Sequence, residues 1–151
     1  MIIMQLVIRH VNLITDLSAL HTLTTQLGYP SEFDEFVCRI KCLHADHNYQ
    51  TLVALYDQRI IGYLGYVHQY TWESAGAFYR IQALVIDEEM RRKRIGWALI
   101  CHLESLAIQH QVKRLVLTSG NRQERQTAHQ FYLNMGFEIY STGFAKEISD
   151  I

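Results

Sequence analysis

Ile81–Leu99, IQALVIDEEMRRKRIGWAL, decides the fold. An apolar run ends in the acids Asp87, Glu88 and Glu89, passes through Arg91, Arg92, Lys93 and Arg94, and enters a helical pattern at Ile95 and Gly96. This order reads as strand, turn, helix. The first N–H groups of a helix have no partner inside it, and the helix dipole places partial positive charge there. Such a terminus attracts anions. The four neighbouring cations add attraction for a multiply charged group, and Gly96 admits a ligand close to the backbone, so the stretch suits a diphosphate.

Working outward, the N-terminal half reads as strand, two helices and two strands. Residues 3–9 (IMQLVIR) form an opening strand. Thr15 or Asp16 caps a helix with Leu17, Leu20, Leu23 and Leu27 on its apolar stripe, closed by Gly28 and Pro30. Ser31 caps a second helix, with Phe33, Phe36, Val37 and Ile40 on one face and Glu32, Asp34 and Glu35 in the first turn, where the dipole favours them. TLVALY and IIGYLGYVH are strands joined by a tight turn at Asp57-Gln58-Arg59, and Gly62 and Gly65 predict a twist or bulge. AFYRIQALVI is the fourth strand.

Beyond the basic turn, Ile95, Leu99, Leu103 and Leu106 mark a helix running to about Gln111. The strand RLVLTS (114–119) follows, then a break at Gly120 and Asn121. A last helix carries Ala128, Phe131, Tyr132 and Met135, Gly136 ends it, and Phe137 to Ile148 is expected to supply one or two closing strands. The whole chain, residues 1–151, is expected to be one α/β domain.

Composition bounds the partners. The chain has 151 residues, 49% hydrophobic, with 14 Lys+Arg against 15 Asp+Glu and a formal charge of −1. No global field favours nucleic acid or an anionic membrane, and the basic tetrad is local. No apolar run is long enough to span a bilayer, and MIIMQLVIRH carries its charge after the apolar run, the reverse of a signal peptide, so a cytoplasmic protein is expected. Cys38, Cys42 and Cys101 lack metal-like clustering and are expected to pack in or near the core. His44 and His47 have no companions to complete a metal site, so no metal is expected.

Neither a P-loop nor a G-x-G-x-x-G turn is present. The organising stretch instead resembles the acyl-CoA loop of the GNAT superfamily of N-acetyltransferases, V-x-P-x-x-[RQ]-x-x-G-x-[GA] followed by a helix, with Val85, Arg91, Ile95 and Gly96 at matching positions. Asp87 stands where the family often has proline, and Arg94 where it usually has its first glycine. Arg94 must then adopt a conformation that suits glycine, at a cost of order 1 kcal/mol if φ is positive. The stretch LTSGNRQERQTAHQFYLNMGFEIYSTGFAKEI resembles the family's C-terminal half, A-x-x-[FL]-Y-x-x-x-G-[FY] and a closing strand, through Ala128, Phe131, Tyr132, Gly136, Phe137 and Lys146.

The resemblance implies an α/β fold with a mixed, twisted central sheet of about six or seven strands flanked by about four helices. It implies acetyl-CoA as co-substrate and a primary amine of a small molecule or peptide as acceptor, with no metal, nucleic acid or membrane, in a homodimer. Backbone amides at Ala83, Leu84 and Val85 are expected to bind the thioester carbonyl and pantetheine. Arg91, Arg92, Lys93, Arg94, Ile95, Gly96, Trp97 and Ala98 are expected to hold the pyrophosphate, and Asn121 to contact the pantetheine arm. Tyr132 is the candidate general acid for the leaving thiolate, the alternative being a core tyrosine in the helix stripe. Tyr29, Glu32, Phe33 and Asp34 are expected acceptor contacts by resemblance. No carboxylate lies on the fourth strand to act as base, leaving Glu73, His68 and Asp34 on position alone. Glu32, Asp34, Glu35 and Glu73 would suit a polycationic aminoglycoside, whereas a peptide amine would want an open groove. A catalytically idle acyl-CoA-binding domain is the rival from another class.

Overall fold

The computed structural model describes residues 5–119 and 125–148. They divide into two compact units, Met1–Leu117 and Thr118–Ile151.

The first unit is built on a sheet of five strands in the order β1 (Leu6–His10), β2 (Tyr49–Tyr56), β3 (Arg59–Tyr70), β4 (Ala77–Ile86) and β5 (Leu115–Leu117). The first four are antiparallel and β5 joins β4 in parallel, so the sheet is mixed. Asp57 and Gln58 both take positive φ (52° and 64°) in the β2–β3 turn, the backbone twist that a two-residue hairpin requires.

Helix α1 (Leu17–Leu27) ends at Gly28, whose φ of 109° lets its N–H reach back to the last carbonyls. Helix α2 (Phe33–Ala45) begins one residue later than a Ser31 cap would place it, with Glu32 at the N-cap. The Ser31 carbonyl is instead bound to the His21 ring at 2.7 Å. Leu17, Leu20, Leu23 and Phe36 pack with Val53, Tyr63 and Val85 in one cluster against the sheet. Each such fully buried side chain contributes roughly 1.5–3 kcal/mol of burial. Helix α3 (Ile95–Gln109) buries Ile95, Leu99, Ile100, Leu103 and Ala107 and packs against β2, β3 and β4.

Asp16 occupies the N-cap position of α1 without bonding the helix N–H groups. Its carboxylate, only 4% exposed, accepts from Arg9 Nη1 and Nη2 at 2.7 and 3.2 Å, from the Asn12 N–H at 2.7 Å and from the Thr15 hydroxyl at 3.1 Å. The start of α1 is thereby fastened to the end of β1.

Two expectations fail. Cys38 and Cys42 do share a face of α2, but it is the exposed one, because Phe36 and its neighbours already fill the inward stripe. The described residues of Phe137–Ile148 form no closing strand, so the sheet has five strands among the described residues where six or seven were expected. That segment is extended in composition, yet Ile139, Phe144 and Ile148 are 86%, 94% and 85% exposed, and a strand needs a paired neighbour to be stable. The second unit's regular structure is helix α4 (Gln126–Asn134), ended by Met135 and Gly136, the latter at φ 94°.

Gly62 on β3 is a close approach. A Cβ there would lie 2.8 Å from Ile86 Cδ1 and 3.0 Å from the Val85 carbonyl oxygen of β4. Gly62→Ala is expected to lower stability by about 1–3 kcal/mol in denaturant melts, because the Val85 backbone must move.

Candidate active site

Three features of the first unit converge on the C-terminal half of β4. The first is a bulge. Gly65 faces Ala83 and Tyr66 faces Ile81, so Gln82 is an extra residue with no partner on β3. β5 pairs with β4 only at Tyr79, Arg80 and Ile81. From Gln82 to Ile86, β4 has no strand neighbour on that edge among the described residues, so the backbone polar groups of this stretch that do not face β3 can pair with an extended ligand. Ala83, Leu84 and Val85 all lie on this open stretch.

The second feature is the turn that follows. Asp87 bends the chain out of the strand by accepting from the Glu89 N–H at 3.1 Å and from Arg59 Nη2 at 3.3 Å, which starts the 3-10 turn Glu88–Met90. The Glu88 N–H bonds Gln26 Oε1 of α1 at 3.0 Å. Arg92 and Arg94 then take positive φ, 66° and 61°. Arg94 sits in the left-handed region where the family has glycine, as the sequence requires, at roughly 1–2 kcal/mol. No side chain caps α3. The N–H groups of Ile95, Gly96 and Trp97 therefore open toward the loop. Arg91, Arg92, Lys93 and Arg94 are all exposed, and none is ion-paired among the described residues. Gly96 and Ala98 are half-buried and Trp97 is 49% exposed. An uncapped helix start flanked by four free cations fits a diphosphate.

The third feature is a cavity of about 210 Å³ beside the bulge. Leu20 and Thr24 of α1, and Phe36, Arg39, Ile40, Leu43 and His44 of α2, form its walls. Tyr49, Gln50 and Thr51 of β2 and Tyr63, Gly65 and Tyr66 of β3 complete it, with Gln82 and Ala83 at the β4 end. Its polar groups are mostly paired: Thr24 Oγ1 and Tyr63 Oη are 2.7 Å apart, and His44 Nε2 and Thr51 Oγ1 are 3.0 Å apart. Burial pushes the Tyr63 phenol up, and burial with the nearby Tyr79 pushes Tyr66 to about 12, so both stay protonated at neutral pH. Burial, with a smaller contribution from His10, lowers the His44 pKa below the ordinary imidazole value and keeps the ring neutral.

The acceptor contacts expected from sequence do not line this cavity. Tyr29, Glu32, Phe33 and Asp34 are exposed in the α1–α2 loop and the start of α2, and none lines the cavity. Glu73 is fully exposed in the β3–β4 loop, its carboxylate accepting from the Thr71 hydroxyl, which holds its pKa down. His68 packs its ring near those of Tyr70 and Tyr79, at 5.2 and 6.0 Å. His44 was legible only as half of a metal pair, and the signal missed was its place in the last turn of an amphipathic helix, half-buried. Among the described residues no cluster of His, Cys, Asp and Glu could hold a metal ion, and no helix is long and apolar enough to cross a membrane.

In the second unit, Tyr132 is half-buried on α4 between Phe131 and Phe137, with ring centroids 5.4 and 5.8 Å away. Burial raises its pKa against a lowering by Arg125. Asn121 lies outside the described residues.

Residues 14–137 match the family model described as Acetyltransferase (GNAT) family. A GNAT family acetyltransferase from Staphylococcus aureus is similar in structure, with a TM-score of 0.82 and 27% identity over 96% of this chain and 100% of that one. So is the aminoglycoside N-acetyltransferase AAC(6')-Iy in complex with CoA, with a TM-score of 0.82 and 14% identity over 96% and 95%. Glucosamine-6-phosphate N-acetyltransferase from Arabidopsis thaliana follows, with a TM-score of 0.77 and 16% identity over 96% and 99%. No curated protein matches the sequence. With a family model spanning most of its length and neighbours of the same fold end to end, the chain belongs to the GNAT family of acetyltransferases and is an acyltransferase.

Proposed function

We propose that this chain is a single acyl-CoA N-acyltransferase domain that moves the acetyl group of acetyl-CoA to a primary amine of a small molecule or peptide. The observation that carries the reading is continuity: the open edge of β4 borders the cavity at Gln82 and Ala83 and runs directly into the uncapped, cation-flanked start of α3. A thioester carrier laid along this path meets the Ala83-Leu84-Val85 backbone with its carbonyl and pantetheine, through the groups that do not face β3, and Arg91 to Ala98 with its diphosphate.

The chemistry is direct attack. The amine nitrogen bonds to the thioester carbonyl carbon, the carbonyl oxygen gains negative charge held by the β4 amides, and the C–S bond then breaks. Tyr132 is assigned as the acid that protonates the departing thiolate, from its place in the family motif and its raised pKa. His44 is assigned as the base for the acceptor's ammonium proton, because it is a neutral imidazole on the cavity wall. The neighbours act on different acceptors, one an aminoglycoside and one an amino-sugar phosphate, so the fold alone does not select the amine.

Two measurements test this. Acetyl-CoA is expected to raise the Tm in a salt-sensitive way, and Arg91→Ala combined with Arg92→Ala is expected to weaken its binding about tenfold or more. Thiol release from acetyl-CoA is expected with at least one primary amine. Stabilisation by CoA with no turnover on any amine would replace the transferase by an idle acyl-CoA-binding domain.

A further inference from the structure

We infer that the acceptor is a small amine that also carries a carboxylate or phosphate, and that Arg39 binds that anionic group. The inference rests on the reading of the cavity as the acceptor site. It concerns which amine that site admits.

The charge pattern of the lining carries it. Among the described residues no Asp, Glu or Lys lines the cavity, and its one permanently charged side chain is Arg39. Gln50, Gln82 and Thr51 are neutral, and His44 is held neutral by burial and His10. Among the described residues Arg39 forms no ion pair, although Glu35 lies one turn earlier on α2. Arg39 is exposed on α2 where it lines the cavity, and its charge slightly lowers the Tyr63 phenol against the larger upward push of burial. A polycation entering here would lose hydration, meet this guanidinium and find no carboxylate to offset either effect. A carboxylate or phosphate would meet the donor fork that guanidinium presents to planar and tetrahedral oxyanions.

Size points the same way. At about 30 Å³ per water, 210 Å³ holds roughly seven waters, short of the roughly 300–1,000 Å³ of sites for drug-sized ligands. That is the scale of an amino acid or a short amino phosphate. Arg39 on α2 and Gln82 on β4 both line this cavity, so one small ligand can present its anion to the first and its amine toward the strand.

Matched amines test it on the full chain. β-Alanine is compared with β-alaninamide, and 2-aminoethyl phosphate with ethanolamine, with spermidine as the polycation. Turnover is read as thiol release from acetyl-CoA, and binding as heat on titration into the CoA-saturated protein. The amide's amine is less basic than that of β-alanine, so intrinsic reactivity works against the expected preference. The anionic member of each pair is expected to have about tenfold or higher kcat/KM and tighter binding. Arg39→Gln, with its Tm checked, should bring each ratio to near one, and Arg39→Lys should retain most of it. Equal or better use of the uncharged members or spermidine overturns the inference, as does an anion preference that survives Arg39→Gln, or a lack of binding by every amine. An Arg39-dependent binding preference without turnover would leave the inference standing while removing the transferase reading.

Discussion

Tyr132→Phe is expected to lower kcat for acetyl transfer about 10²-fold or more, with the KM for acetyl-CoA nearly unchanged. The substitution keeps the ring and its edge contacts with Phe131 and Phe137, so folding is preserved and only the hydroxyl proton is removed. A leaving thiolate then draws its proton from water. Because burial holds the Tyr132 phenol above its ordinary value, the acid is fully protonated through neutral pH. The neutral form of His44 governs the opposite limb. With its pKa lowered by burial and His10, kcat/KM should rise through a pH below the ordinary imidazole value of about 6.5 and then level off. His44→Gln should flatten that limb. A Tyr132→Phe protein with unaltered kcat would make Tyr132 a packing residue of the α4 stripe and end its assignment as acid.

Asp16→Ala is expected to cost about 3 kcal/mol of stability in denaturant unfolding, a large effect for one side chain outside the apolar core. Burial alone would raise the Asp16 pKa, but the hydrogen bonds and charge of Arg9, the Asn12 N–H and the Thr15 hydroxyl outweigh it and leave it lowered. A carboxyl with a depressed folded-state pKa contributes stability that is complete above its unfolded value, near 3.9, and is lost as pH falls through the folded value. The wild-type Tm should therefore drop below about pH 4, and this part of the drop should vanish in Asp16→Ala. His10 and His44 act in a separate window. Both are lowered, chiefly by burial, so they subtract stability as pH falls below about 6.5, and that loss should persist in the Asp16 variant. An Asp16→Ala protein as stable as wild type would show that the Arg9 contact is merely a surface pair.

The parts of the fold written in local chemistry were readable from sequence. AFYRIQALVI is β4 residue for residue, and Ile95 opens α3. Gly28 ends α1 at positive φ. Arg94 had to be left-handed if the loop matched its family, and it is. What stayed hidden depends on partners distant in the chain. The apolar residues of Phe137–Ile148 read as strand because periodicity reports which residues want cover, whereas a strand also needs an edge to pair with. The acid-rich start of α2 drew attention because charge is conspicuous in a sequence. The cavity is lined by exposed Arg39 and half-buried His44, further along the same helix, and nothing local marks them.

Position 94 sets two selections against each other. An arginine in a left-handed conformation holds the backbone in a shape that glycine adopts freely, so Arg94→Gly should gain stability while removing one of the four cations at the α3 start. A library screened for heat resistance would therefore drift toward glycine at this site, and one screened for donor capture would retain arginine. Variants harvested from the two screens should diverge there first.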